Sequence, residues 1–193
     1  MVYFIADPHY KHDAEFVYKR CGCNSIDEYD EYLLDGINYY VKEDDTLYIL
    51  GDVAWMNPFE FLKKIKCKHI FVVKGNHDKE LYAQNNKNLI PKKVTLLETL
   101  VDINIKYEEE NYPITLCHYP MVSWNKSHYG SWLIYGHVHH NVFPFTGKMI
   151  DVAPCTGHIY PYSFSEIKAV METLPNAWDF IDKNTAWGYK ETT

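Results

Sequence analysis

The sequence predicts an α/β fold in which two β-sheets pack together with helices outside. Three observations carry that prediction. Residues 2–73 run strand, helix, strand, helix, strand by apolar pattern. Residues 100–117 switch to the alternation of a β-hairpin, and a helical pattern closes at 163–172. Finally, five short apolar runs each stop on side chains that can ligate a metal, and in α/β sheets ligands gather beyond the carboxyl ends of strands. Helices beside a first sheet, followed by a second group of strands, give the packed-sheet arrangement.

Each element has a local reason. Residues 2–6 are a short apolar run of the kind buried strands show. Residues 13–20 read as a short helix. Ser25 and Glu28 stand at capping-box spacing, and Ile26, Tyr29, Leu33 and Ile37 then place one apolar stripe on a helix. Glu43, Asp44 and Asp45 turn the chain into a strand at 47–50. Asn57-Pro58 reads as an N-cap followed by proline at the first helical position, with the helix ending near Lys66. Residues 70–73 form the next strand, and 79–84 add one or two helical turns. Val101, Ile103, Ile105 and Tyr107 alternate with polar residues, 108–112 turn, and 113–117 return as a hairpin. Strands follow at 132–135 and 149–152. Ser163 and Glu166 again have capping-box spacing. From Pro175 onward Trp178, Phe180 and Trp187 show no period.

Composition narrows the class. A chain of 193 residues, 47% apolar and 23% charged, fits one globular domain spanning 1–193. No run approaches the ~18 apolar residues of a membrane span, and the start lacks the pattern of a signal peptide, so the expectation is a cytoplasmic protein without a membrane partner. The five cysteines are scattered and odd in number, which predicts reduced thiols rather than a disulfide framework. A net charge of −7 argues against a broad duplex-binding surface. The 17 tyrosines could stack bases, but Tyr, Asn, Lys and Ile rising together read more simply as coding bias.

The run endings carry the chemistry. They are Asp7 and His9, Gly51-Asp52, Gly75-Asn76-His77-Asp78, His118, and Gly136-His137 with His139. Carboxylate, amide oxygen and imidazole suit divalent transition metals. The inventory exceeds one ion and fits two, which metal hydrolases of phosphate esters hold about 3.5–4 Å apart. A carboxylate can bridge two ions and an imidazole cannot, so Asp52 or Asp7 must bridge. Asp7 and His9, two apart, suit one ion, and Pro8 between them keeps Asp7 extended. His137 and His139 can serve one ion each.

Taken in order, these five blocks resemble the calcineurin-like metallophosphoesterase superfamily, and among its members the small single-domain prokaryotic and phage types. The match runs from Asp7 to His139, about two thirds of the chain. The resemblance implies a four-layer α/β/β/α sandwich of two mixed sheets flanked by helices, with the metal site at the C-terminal ends of strands. It implies one ion on Asp7, His9, Asp52 and His139 and another on Asp52, Asn76, His118 and His137, with Asp52 bridging. It further implies a phosphoesterase in which a metal-bridging hydroxide attacks phosphorus in line, with His77 acting catalytically on the phosphoryl group and Asp78 supporting it. The implied cofactors are two divalent ions, Mn²⁺ foremost, with Ni²⁺, Zn²⁺ or Fe²⁺ as alternatives.

Departures refine the substrate. Ser/Thr protein phosphatases carry arginines after Gly-Asp and before Gly-Asn-His; here Val53-Ala54-Trp55 and Lys74 stand in those places. The bidentate clamp for a phosphate monoester is missing, which points to a small phosphodiester or a nucleotide. A nuclease of the same fold is weakened by the acidic charge. A metallo-β-lactamase is rejected, because 136–141 gives His-x-His-His-Asn and not His-x-His-x-Asp-His. A non-catalytic scaffold, as in the retromer member of the superfamily, need not keep all seven ligands plus His77. His12 is open between contact with substrate phosphate and an exposed helix start. Trp55, Trp124 and Asn125 are open between pocket lining and loop packing, and Cys117 should face away from the metals.

Overall fold

The N-terminal apolar runs assemble into a parallel sheet. A computed structural model describes residues 1–141, 147–155 and 157–176. Strands β1 (Val2–Ile5), β2 (Thr46–Leu50), β3 (His69–Val73) and β4 (Val94–Leu96) lie side by side, all parallel, with Val2 opposite Thr46 and Thr46 opposite His69. A second sheet holds β5 (Leu100–Tyr107), β6 (Glu110–Cys117), β7 (Trp132–Tyr135) and β8 (Met149–Asp151). β5 and β6 form the expected antiparallel hairpin, whereas β6–β7 and β7–β8 are parallel. A short β9 (Tyr162–Ser163) closes the first sheet antiparallel to β1. Both sheets are therefore mixed.

Among the described residues four α-helices flank them: α1 (Glu15–Tyr18), α2 (Ile26–Tyr40), α3 (Pro58–Lys64) and α4 (Phe164–Thr173). Period-2 alternation in β1 divides the core. Ile5, Leu47, Ile49, Ile70 and Val72 face the stripe of α2 (Tyr29, Leu33, Ile37) and Phe61 and Leu62 of α3. Phe4, Ala6, Leu50 and Val73 face the other way, meeting Ile114, Leu116, Trp132 and Ile134 of the second sheet and Phe164, Ile167 and Met171 of α4. Each Val, Leu, Ile, Phe or Met among them, fully buried, contributes roughly 1.5–3 kcal/mol of transfer free energy. The outer face of the second sheet is covered, among the described residues, by Trp124 and its loop packed on Cys117, Leu133, Tyr135 and Met149.

Local expectations meet the structure unevenly. Ser163 and Glu166 form a full reciprocal capping box. Ser25 Oγ accepts from the Glu28 N–H, but the Glu28 carboxylate turns to Asn24 instead of the cap residue, so that box is half made. Asn57 precedes proline as expected yet adopts φ +53° and makes no side-chain cap. α3 ends at Lys64, short of Lys66. Residues 79–82 are turns, and the helical segment falls later than the expected 79–84, as a 3₁₀ stretch at Gln84–Leu89. β4 and β9, of three and two residues, are too short to leave a period. Trp178, Phe180 and Trp187 lie outside the described residues.

Candidate metal centre

Tight hydrogen-bonded turns continue β1 and β2 past their ends. The Asp7, His9 and Trp55 N–H groups donate to Gly51, Asp52 and Tyr10 carbonyls at 3.1, 3.0 and 2.9 Å. Asp7, His9, Asp52, His137 and His139 all hold positive φ, between +46° and +70°, so Asp7 is left-handed and not extended as expected before Pro8. Each such backbone costs on the order of 1 kcal/mol or more and persists only where its surroundings enforce it. The enforcement is visible. Asp78, buried, accepts three backbone N–H bonds at 2.8–2.9 Å, from Asp52, Val53 and Gly75. Tyr29 of α2 donates to the Pro8 carbonyl at 2.8 Å, pinning the segment between Asp7 and His9. Asp78 thus braces the loops and points at backbone, not into the pocket.

The glycines of these motifs have a steric reason. A Cβ at Gly136 would overlap the Asp7 carboxylate and Ala6, and one at Gly75 would overlap Asp52. At Gly51 it would stand 2.6 Å from His118 Nδ1. Close approach of backbone to these donors requires glycine at all three places.

The donors converge in two overlapping groups. Asp7, His9 and His139 bring one ligand atom each within 4.8 Å of one another, and so do Asp7, Asp52 and His118. Asp52 Oδ2 lies 3.8 Å from His9 Nε2 and 3.5 Å from His118 Nε2, between the two groups. Asn76 Oδ1 is 2.9 Å from His118 Nε2. Asp7 belongs to both groups, whereas the resemblance assigned it to one ion. His137 is set apart from these groups: its ring stands edge-on to His118 with centroids 5.0 Å apart, and its backbone N–H donates to Asp7 Oδ2 at 2.7 Å. His77 lies at the pocket mouth, its side chain 43% exposed and its Nε2 4.0 Å from Asp52 Oδ2.

Two observations fit this set to a cation. Asp7 Oδ1 and His9 Nε2 are buried and have no hydrogen-bond partner, a state that normally costs about 1–3 kcal/mol per group. Both atoms face the same space, 3.7 Å apart. His118 adds the second: its Nδ1 meets the Leu50 carbonyl at 2.8 Å, which places the proton there and leaves the Nε2 lone pair facing Asp52 and Asn76. Burial pushes the Asp7 carboxyl up to about 7 and His9 down to about 4, and it drives His139 far below the ordinary imidazole value. A cation among them would reverse the carboxylate shift, since an opposite charge favours the ionised form.

No family model matches the chain. It is 25% identical over 182 residues to the uncharacterised protein MJ1445 of Methanocaldococcus jannaschii, covering 89% of this chain and 91% of that protein. It also resembles the crystal structure of the protein of unknown function AQ665 from Aquifex aeolicus, with a TM-score of 0.61, 22% identity, and coverage of 88% of this chain and 98% of the other. That likeness supports the mixed α/β fold with two sheets and flanking helices.

The remaining sequence candidates sort by position. Trp124 is buried and donates to the Ser131 carbonyl, and Asn125 donates to Asp102, so both pack a loop. Cys117 is buried in the cluster on the outer face of the second sheet, and all five cysteines are free thiols. Trp55 and His12 sit beside His9 and His77. Sequence reasoning missed Asp151, which accepts from His140 and Ala153 N–H groups and so holds the loop carrying His139. Its signal was present: Met149–Asp151 is another short apolar run ending on a carboxylate. No helix is long and apolar enough to cross a membrane among the described residues.

Proposed function

We propose that this protein is a dinuclear metal-dependent phosphoesterase of the calcineurin-like type, hydrolysing a small phosphodiester or nucleotide. The observation that carries the reading is the sharing of Asp7 between two donor groups, with Asp52 between His9 and His118 and two buried polar atoms, Asp7 Oδ1 and His9 Nε2, unsatisfied. In this reading the two sheets and their helices form a four-layer sandwich with the ions at the strand ends. Asp7, His9, Asp52 and His139 would hold one divalent ion, and Asp52, Asn76 and His118, with His137 turned inward, the other. Bound there, such ions supply Lewis acidity and a water nucleophile of lowered pKa.

The chain's own groups do the rest. His77, exposed and 4.0 Å from Asp52, is free to hydrogen-bond a phosphoryl or leaving oxygen at the pocket mouth. Its backbone N–H donates to Asp52 Oδ1 at 2.9 Å, which couples its placement to a carboxylate that would be shared by both ions. No arginine occupies the two positions that clamp a dianionic monoester in the protein phosphatases, so a diester with one negative charge suits the pocket better. Nuclease activity or a scaffold role would share this fold.

The test is a panel of nucleotides, cyclic nucleotides and nitrophenyl mono- and diesters, assayed after metal stripping and reloading with Mn²⁺, Ni²⁺, Zn²⁺ or Mg²⁺. The expected result is metal-dependent hydrolysis with kcat/KM higher for the diester than for the matching monoester. A tenfold preference for the monoester reverses the substrate assignment. Metal-loaded protein inert on the whole panel favours the scaffold.

A further inference from the structure

We propose that His12 is a positioning residue that supplies the lone pair to which His9 donates its Nδ1 proton, and thereby fixes Nε2 as the nitrogen His9 offers to a cation. The inference rests on the metal reading above but not on phosphoester hydrolysis.

His9 and His12 approach through like atoms, Nδ1 to Nδ1, at 3.3 Å. A neutral imidazole carries one proton on one of its two nitrogens. A hydrogen bond at that separation needs one Nδ1 to donate and the other to accept, which couples the tautomers of the two rings. If His12 donates, the His9 proton sits on Nε2. That atom is buried among carboxylates at 3.7 and 3.8 Å, too far for a good hydrogen bond, and it would have no lone pair for a metal. If His9 donates, its Nε2 lone pair faces Asp7 and Asp52, and the His12 proton moves to Nε2. Among the described residues that nitrogen has no hydrogen-bond partner, and it is not among the solvent-inaccessible unpartnered atoms, so water can satisfy it. Only the second arrangement is compatible with a cation on His9.

His118 solves the same problem with the Leu50 carbonyl, an acceptor that cannot donate. His9 has an acceptor that can do either, so the ring of His12 must be held in register. The structure does this with flat contacts. The indole of Trp55 stacks on His12 with centroids 3.9 Å apart and planes 5° from parallel. Phe16 meets the same ring edge-on at 5.4 Å. The His12 N–H donates to the His9 carbonyl at 2.9 Å, which closes the turn that brings the two rings together.

The experiment uses zinc, which is diamagnetic. Long-range ¹H–¹⁵N correlation spectra of the full-length zinc-loaded protein should show His9 protonated on Nδ1 and His12 on Nε2. Zinc affinity, read by competition with a chromophoric chelator, should fall 10–100-fold in His12→Phe, which keeps a flat ring against Trp55 but removes the acceptor. His12→Asn keeps an oxygen near the place of Nδ1 and should stay within about threefold of the native affinity. His9 found in the Nε2–H form in zinc-loaded protein overturns the inference, as does equal affinity of the Phe and Asn variants. If His12→Phe fails to fold, the spectrum of the native protein decides alone. Protein that binds zinc with the stated tautomers but hydrolyses no ester removes the proposed function and leaves this inference standing. Absence of zinc at His9 removes both.

Discussion

The backbone N–H of His137 donates to Asp7 Oδ2 at 2.7 Å, joining the ends of β1 and β7 across 130 residues of sequence. That bond occupies one oxygen of Asp7 and leaves Oδ1 unpartnered and buried. It forms only because Gly136 has no side chain, since a Cβ there would overlap both the Asp7 carboxylate and Ala6.

Gly136→Ala should therefore destabilise the fold and the site together. The Asp7 carboxylate is buried and held by the His137 N–H, and the Ala6 Cβ is fixed to its backbone, so relief requires backbone movement, and overpacking of that kind costs about 1–3 kcal/mol. For a chain of this size that is roughly 2–12 °C in Tm. Thermal unfolding in chelator measures the first effect and Mn²⁺ titration the second. A Gly136→Ala protein with native Tm and native metal content would show that the loop is more pliable than its contacts imply.

Asp78→Asn isolates the brace. One carboxylate oxygen takes the Asp52 and Gly75 N–H groups and the other takes Val53. An amide has only one acceptor oxygen, so at least one buried N–H would face an NH₂ group. The expected loss is about 1–3 kcal/mol, measured by denaturant unfolding without metal. Metal affinity should fall as well, because Asp52 holds its left-handed backbone through these bonds. Unchanged stability would place Asp78 outside the brace.

Much of this was legible beforehand because strand ends announce themselves. Apolar runs stopping at Asp7, Asp52, Asn76, His118 and His137 mark strands of both sheets and bring candidate donors together at their ends. The hairpin, the stripe of α2 and the capping box of α4 were equally plain, each resting on a local period. What the sequence concealed depends on contacts across the fold. Asn57 looks like a cap, but the chain reaches α3 through a left-handed turn that aims its side chain elsewhere. β4 and β9 exist only as partners of strands already formed. His12 was open because nothing local shows that its ring would lie between His9 and Trp55.

Asn76 and His77 should separate metal holding from chemistry. Asn76 Oδ1 is 2.9 Å from His118 Nε2, inside the donor set, whereas His77 is at the mouth. Asn76→Ala should weaken metal binding, with activity partly restored by excess Mn²⁺. His77→Ala should keep metal content near native while kcat for a phosphodiester falls 10²–10⁴-fold, the usual contribution of a positioned acid or oxyanion donor. The loss should be smaller for esters with good leaving groups if His77 protonates the leaving oxygen. Equal metal loss in both variants would reverse the roles.

Asp30 gives a pH signature away from the ligands. Its carboxylate accepts the Lys11 N–H at 3.1 and 3.2 Å and so supports the turn that presents His12. Burial pushes its pKa from 3.8 up to about 6, against the lowering effect of the Lys11 hydrogen bond and charge. Between those values the folded protein binds more protons than the unfolded chain, so this group's contribution to stability falls as pH rises from about 4 to about 6 and is flat above. Asp30→Asn keeps an acceptor oxygen for Lys11 and removes the titration. Relative to the native chain, the variant should gain stability between pH 4 and pH 8, by at most about 3 kcal/mol at 1.36 kcal/mol per pKa unit. Paired Tm measurements in chelator at the two pH values check this. A variant that instead loses ground as pH rises would mean that the ionised carboxylate is the form the fold prefers.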